Sequence, residues 1–305
     1  MLTRRRLLSG TAAGAGLLIA CTIRKTEIDR EVLEVVTAAP GRDGAGVALR
    51  RSIGGRALPL LDPFLLLDEI HSVEPADYAA GFPEHPHRGF ETVSYVLRGA
   101  FAHADNVGNH GLIADGGAQW MTAGKGIVHS EMPRPTTTTE LWGLQLWVNL
   151  PAARKLTAPR YQDLDAAAIP TVMAGDASVR VIAGQIERRR GPVDGIAIAP
   201  TMLDAQVPAG TELIHQLAGG DTAFVYVLEG ELDVGARNTT VQPGQLAILG
   251  PGTHLRVATN TGGRALIVAG TPIGEPVARR GPFVMNTEAE LDQAVADYRA
   301  GRLTS

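Results

Sequence analysis

The chain has 305 residues, 45% hydrophobic and 20% charged, with a formal net charge of -4; this is an ordinary globular composition, long enough for one large domain or two smaller ones. Its only basic runs are Arg4-Arg5-Arg6 and Arg188-Arg189-Arg190, so it lacks the cationic face that nucleic-acid binding requires. One cysteine, Cys21, excludes an internal disulfide framework and any multi-cysteine metal site.

The first residues have the shape of an export signal. Met1 to Arg6 is cationic, and Leu7 to Ala20 is small, apolar and too short for an ordinary membrane span. Thr3-Arg4-Arg5-Arg6-Leu7-Leu8 resembles a twin-arginine motif, with Leu7 where Phe is usual. Leu18-Ile19-Ala20-Cys21 resembles a lipobox, in which Cys21 would carry a lipid. Residues 1–30 are therefore expected to be signal and tether. The protein is expected to be exported to the periplasm or cell envelope, touching membrane only through the signal or a lipid on Cys21.

Beyond the tether, 36 glycines and 19 prolines favour short elements joined by turns. Strands are predicted at 31–36, 47–53 and 60–67. The segment 91–97 is the clearest, with Val93, Tyr95 and Leu97 on one face. Strands follow at 100–103, 118–122, 127–131 and 140–150, and residues 152–177 read as a linker. A second block of short strands runs from 179 to 270. Thr287-Glu288-Ala289-Glu290 is a capping box, and Leu291, Ala294, Val295 and Tyr298 recur at helical spacing. One helix is predicted from there to about residue 300.

The second block repeats the first. Val93-Ser94-Tyr95-Val96-Leu97-Arg98-Gly99 matches Phe224-Val225-Tyr226-Val227-Leu228-Glu229-Gly230. Duplicated short strands without intervening helices indicate an all-β fold of two antiparallel barrels or jelly rolls with a C-terminal helix. The expected division is a metal-binding domain over 31–160 and a metal-free one over 161–305.

The chemistry concentrates between Phe82 and Glu131, where five of the eight histidines lie. In an extended segment residues i and i+2 share a face, so His85-Pro86-His87 holds two imidazoles side by side. His129-Ser130-Glu131 repeats the spacing with one imidazole and one carboxylate. Three imidazoles and a carboxylate suit Fe(II), Mn(II), Ni(II), Cu(II) or Zn(II). Glu91, four residues beyond His87, competes with Glu131 for the fourth position, and spacing does not separate them. The second block keeps only His215 and His254, neither in a pair.

Other residues near these motifs carry weaker readings. His103 would support a ligand or substrate, or pack as a barrel residue. Trp120 reads as packing, and Trp142 and Trp147 fall on opposite faces of one strand. Lys125 reads as solvent-facing. Arg88 would orient an anionic oxygen or pair with a neighbour such as Glu84.

The long stretches H-P-H-R-G-F-E-T-V-S-Y-V-L-R-G, Q-W-M-T-A-G-K-G-I-V-H-S-E-M-P, L-Q-L-W-V-N-L-P and G-P-F-V-M-N-T resemble the pirin family, a branch of the bicupins. The resemblance covers roughly 35–303. It implies iron held in the N-terminal cupin by His85, His87, His129 and Glu131, with Glu91 outside the ligand set, beside it or near the substrate. It also implies similarity to quercetin 2,3-dioxygenases, which open the central flavonol ring with O2 and lose carbon monoxide. The expected partners are a small phenolic substrate and O2, the expected base is Glu131 with Glu91 second, and the expected state is a monomer. The alternatives are a metal- or redox-responsive interaction module without turnover, with an occluded metal, and a non-oxidative zinc or manganese isomerase or hydrolase. A pocket opening beside His85 would favour an enzyme.

Overall fold

Alternating apolar residues between glycine turns form strands over most of the described residues. The computed structural model describes residues 29–134 and 136–304; the segment expected to be an export signal, with Cys21, lies outside the described residues. Two seven-stranded antiparallel sheets carry the fold. The first runs Arg160–Leu164, Ala118–Thr122, Phe90–Arg98, Leu141–Asn149, Phe64–Ser72, Val47–Ile53, Ala39–Asp43. The second runs Val32–Thr37, Gln245–Leu249, Thr222–Gly230, Gly263–Gly270, Thr201–Val207, Ala177–Ala183, Thr171–Ala174. Each is backed by a four-stranded sheet. Behind the first lie Phe82–His87, Ile127–Pro133, Ala100–Asp105 and His110–Ala114; behind the second lie Thr211–Gln216, His254–Thr259, Leu232–Val234 and Thr239–Val241. This is the all-β double barrel expected from the repeat, and the matching segments at 93–99 and 224–230 occupy the same central position in their sheets.

The edges of the two large sheets are exchanged. Val32–Thr37 precedes the first barrel in sequence but pairs with Gln245–Leu249, with Val35 opposite Ala247. Arg160–Leu164 follows the first barrel and pairs with Ala118–Thr122, with Tyr161 opposite Met121. Each repeat thus begins with a strand that completes the other repeat's sheet. A division between 160 and 161 cuts through a strand, and the presumed linker over 152–177 holds that strand and Thr171–Ala174. Both were hidden in the sequence because edge strands face water. Only Leu164 of the first and Ala174 of the second are buried, so neither shows the full apolar alternation.

The large sheets face each other across one core. Val93, Tyr95, Leu97, Leu144 and Leu146 meet Phe224, Tyr226, Leu228, Leu266 and Val268 there. Each such side chain contributes about 1.5–3 kcal/mol when removed from water. Two buried tyrosines, equivalent in the repeat, cross this interface in opposite directions. Tyr95 Oη donates to Asp204 Oδ2 at 2.6 Å, and Tyr226 Oη donates to Glu69 Oε2 at 2.6 Å. Arg264 grips Asp204 through two nitrogens at 2.8 and 2.7 Å, and Glu69 also accepts from Trp142 Nε1 at 2.8 Å. Burial pushes both phenols above their ordinary range.

The end of the chain returns to the first barrel. After Gly263–Gly270 comes the hairpin of Ala278–Arg280 and Phe283–Met285, then the helix Glu288–Arg299 with the predicted capping box between Thr287 and Glu290. Val284 packs with Leu66, Phe90 and Trp147. Leu291 and Ala294 of the helix pack with Phe283, Met285, Leu303 and Val128. The helix is therefore a part of the histidine-bearing barrel in space, although it follows the second barrel in sequence.

The crossed tyrosines can be tested singly. Tyr226→Phe removes one donor and leaves Glu69 its contacts with Trp142 and Arg50, so the expected loss is about 1–2 kcal/mol. Urea denaturation followed by tryptophan fluorescence measures it, and an unchanged midpoint would show that the pair contributes nothing.

Candidate metal centre

Strand pairing builds the site. In Phe82–His87 the two histidines project to the same side, and antiparallel pairing with Ile127–Pro133 sets His129 directly opposite His85. The ring centroids of His85 and His87 are 4.7 Å apart, those of His85 and His129 4.5 Å, and those of His87 and His129 5.1 Å. One nitrogen from each ring lies within 4.8 Å of the others. The turn after His87 requires Gly89: its φ is +90°, and a Cβ would collide with the Val284 carbonyl. Gly126, before the second motif, has φ +147° and would collide with the Leu303 carbonyl. The C-terminal tail therefore packs against both turns that aim the ligands.

The electrostatics suit a cation. His87 and His129 are held well below the ordinary imidazole range, first by burial and then by the neighbouring histidines. Both rings are therefore neutral with a lone pair available. His87 Nδ1 and both nitrogens of His129 are buried without a hydrogen-bond partner, which is costly unless something takes them up. His85 Nδ1 lies 2.8 Å from the Pro83 carbonyl, so it carries the proton and leaves Nε2 free to bind. The donor set fits a divalent transition metal.

Glu131 sits beside this trio and outside it. A register shift falls between His129 and Glu131. The carboxylate is buried, with Oε1 2.8 Å from Ser94 Oγ and Oε2 3.4 Å from Gln145 Nε2. His103 pairs with Glu131 across the strands. Its buried ring stacks on Tyr161 at 5.2 Å, lies 3.7 Å from Asp163, and has no hydrogen-bond partner at either nitrogen.

Glu91 does not join them. It shares strand parity with Val93 and Tyr95, which face the second barrel, and its carboxylate accepts from Thr122 Oγ1 at 2.7 Å and Trp120 Nε1 at 3.1 Å. Counting parity from His87 fails because the Gly89 turn intervenes. Glu91 therefore stands on the far side of the sheet from the histidines, so the structure supports neither a ligand role nor a position near substrate. Arg88 also turns away. It pairs with Asp297 at 2.9 Å and donates to the Leu303 and Lys125 carbonyls, joining the helix to the barrel instead of meeting an anion or Glu84. Trp120 is packed as expected. The two strand tryptophans divide as expected: Trp142 lies in the core between the sheets and Trp147 lies 5.1 Å from His87.

Lys155, in the segment read as linker, was missed. It is fully buried and donates to Asn149 Oδ1 at 2.7 Å, Gly89 O at 2.9 Å and Val284 O at 3.2 Å. Burial pushes its amine down to about 8. It holds the Gly89 turn from behind, and no neighbouring motif marks it in the sequence.

A cavity of about 620 Å³ opens on His85, His87 and Glu131. Leu66, Ile70, Val96, Phe101 and Trp147 give it apolar walls. The second barrel is packed where the first is open. Leu213, Leu217, Leu255 and Val257 fill its interior, and its buried His215 is pushed down to about 4 by burial alone.

The depressed histidines fix a pH dependence for the metal-free protein. An unfolded histidine takes a proton near pH 6.5, whereas folded His87 and His129 do so only well below it. Between those values the unfolded state binds more protons, so stability falls as pH drops, by up to about 1.4 kcal/mol per pH unit for each group. Denaturation midpoints of chelator-treated protein between pH 7 and 5 should show this slope, and His129→Asn should reduce it. A flat profile would mean that the rings are solvated.

The chain matches the Pirin family over residues 46–148 and the Pirin C-terminal cupin domain over residues 202–304. It is 45% identical over 280 residues to a Pseudomonas aeruginosa protein provisionally named quercetin 2,3-dioxygenase, covering 90% of this chain and 98% of that one. A Pirin-like protein of Caulobacter vibrioides is 45% identical over 275 residues, with 90% and 99% covered. The crystal structure of a quercetin 2,3-dioxygenase from Acinetobacter baumannii superposes with a TM-score of 0.83 at 32% identity, covering 90% of this chain and 99% of that one. Sequence, barrels and histidine cluster agree: the chain belongs to the pirin family.

Proposed function

We propose that the protein is an oxidoreductase of the quercetin 2,3-dioxygenase type, opening the central ring of a flavonol or related phenolic with O2. The observation that carries this reading is the cavity of about 620 Å³ that opens on His85, His87 and Glu131. Its size lies within the ordinary range for small-molecule sites, and a planar polyphenol with polar substituents matches its apolar walls and the polar groups set among them. A binding module with an occluded metal would not need that space. The names of the Pseudomonas and Acinetobacter relatives support the same chemistry.

The division of labour follows from the residues. His85, His87 and His129 would hold the ion, for which we propose Fe(II); Mn(II), Ni(II), Cu(II) and Zn(II) suit the same donors. When bound, iron supplies the redox chemistry that couples O2 to an electron-rich enolate. Glu131 takes the 3-hydroxyl proton of the substrate, and Oε2 is the better acceptor because its only hydrogen bond is the long one to Gln145. Ser94 and Gln145 hold that carboxylate toward the cavity. Trp147, Phe101 and Leu66 exclude water and flank the rings. We further propose that this activity is carried out beyond the cytoplasm, on the strength of the leader-like residues 1–21. Replacing Arg4 and Arg5 by Lys should then retain the protein inside the cell, and fractionation with antibody detection reads that directly.

The activity is tested on anaerobically purified protein loaded with Fe(II). With quercetin and air, O2 uptake should equal carbon monoxide release. His129→Ala should lose bound iron and turnover together. Glu131→Gln should keep iron and lose about 100-fold or more in kcat. Iron bound tightly with no flavonol consumed would overturn the reading.

A further inference from the structure

Two arginines face the cavity, and their circumstances differ. Arg51 is saturated with carboxylates: Nε lies 2.7 Å from Asp68 Oδ1, and Nη2 lies 2.6 Å from Asp68 Oδ2 and 2.7 Å from Asp43 Oδ2. Arg279, on the returning C-terminal hairpin, has no carboxylate within ion-pair distance among the described residues. Its hydrogen bonds go to carbonyls, Leu65 O at 3.1 Å and Gly281 O at 3.5 Å. The guanidinium lies over the Trp147 indole, 4.7 Å from the ring centroid, and that indole also contacts His87. Gly54 makes room for the guanidinium: its φ is +86°, and a Cβ there would come within 3.2 Å of Arg279 Nη1.

The remaining acids facing this space make no ion pair with Arg279 among the described residues. Arg51 binds Asp43 and Asp68, Glu131 is held by Ser94 and Gln145, and Glu84 is exposed at the rim. A half-buried cation stacked on an aromatic plate, with forked N–H donors free of acids, fits a planar anionic oxygen group.

We infer that Arg279 is a specificity residue, binding an anionic oxygen, carboxylate or phenolate, that the aromatic substrate presents beside Trp147. The inference rests on the proposed flavonol chemistry and adds what distinguishes one phenolic from another. The second half of the chain thereby contributes a substrate contact to the first half's cavity.

The test is binding to the full-length protein loaded with zinc under argon, by titration calorimetry. The probes are 3-hydroxyflavone, quercetin and 3-hydroxyflavone bearing a 4′-carboxylate. Wild type should bind the carboxylate probe about tenfold or more tightly than 3-hydroxyflavone, a difference of about 1.4 kcal/mol. Quercetin should fall between them. Arg279→Gln should narrow the difference to about twofold, and Arg279→Lys should keep part of it; thermal melts confirm that both variants fold. No preference in wild type, or an undiminished preference in Arg279→Gln, overturns the inference. Should no flavonol bind, the flavonol reading fails, and benzoate against benzamide then decides Arg279 by itself. A benzoate preference lost in Arg279→Gln sustains the anion site, and its absence in wild type removes it.

Discussion

The pairing of His85 with His129 across two antiparallel strands is the contact on which the site depends. It brings two motifs more than forty residues apart into one register, and His87 follows by the period of a strand. A slip of one residue would send His129 to the opposite face and dissolve the cluster. The register is held from outside the strands. Lys155 binds the Gly89 carbonyl, Val284 fills the space that a side chain at 89 would need, and Leu303 does the same at Gly126. The glycines at 89 and 126 are thus a matter of backbone approaching backbone.

The duplicated barrels show what an open site costs. In the second barrel Leu213, Leu217, Leu255 and Val257 close the interior, and the lone buried His215 is simply a neutral packed ring. In the first, the equivalent strands carry histidines and a glutamate, whose burial must be offset by a ligand or by specific hydrogen bonds. The exchange of edge strands and the crossed Tyr95–Asp204 and Tyr226–Glu69 bonds tie the polar barrel to the apolar one. The well-packed half can then stabilise a half whose interior holds a cavity.

What was legible in the sequence follows from which signals are local. The repeat, the alternating central strands, the capping box and the two histidine pairs are all short-range patterns, and each is present in the fold. The exchanged strands escaped because edge position weakens alternation and partnership is set by distant residues. Glu91 was misplaced because parity does not carry through a left-handed glycine turn. Arg88 was misplaced because its partners, Asp297 and Leu303, lie more than two hundred residues away. Lys155 gave no signal at all, since a single lysine in a polar stretch reads as solvent-exposed until the carbonyls around it are known.

The same distances explain why the catalytic half cannot be understood alone. The hairpin and helix that follow the second barrel supply Val284 beneath Trp147, Asp297 opposite Arg88, and Arg279 at the cavity wall. None of these contacts is required to form a barrel of histidine-bearing strands. They are required to fix its turns and to shape the space in front of the histidines. A duplicated fold whose second copy has lost its ligands can still control the first, because the chain's last thirty residues pack on the barrel where the chemistry lies. Within that hairpin the two roles are separate: Arg279 lines the cavity, whereas Val284 braces the Gly89 turn that aims His87.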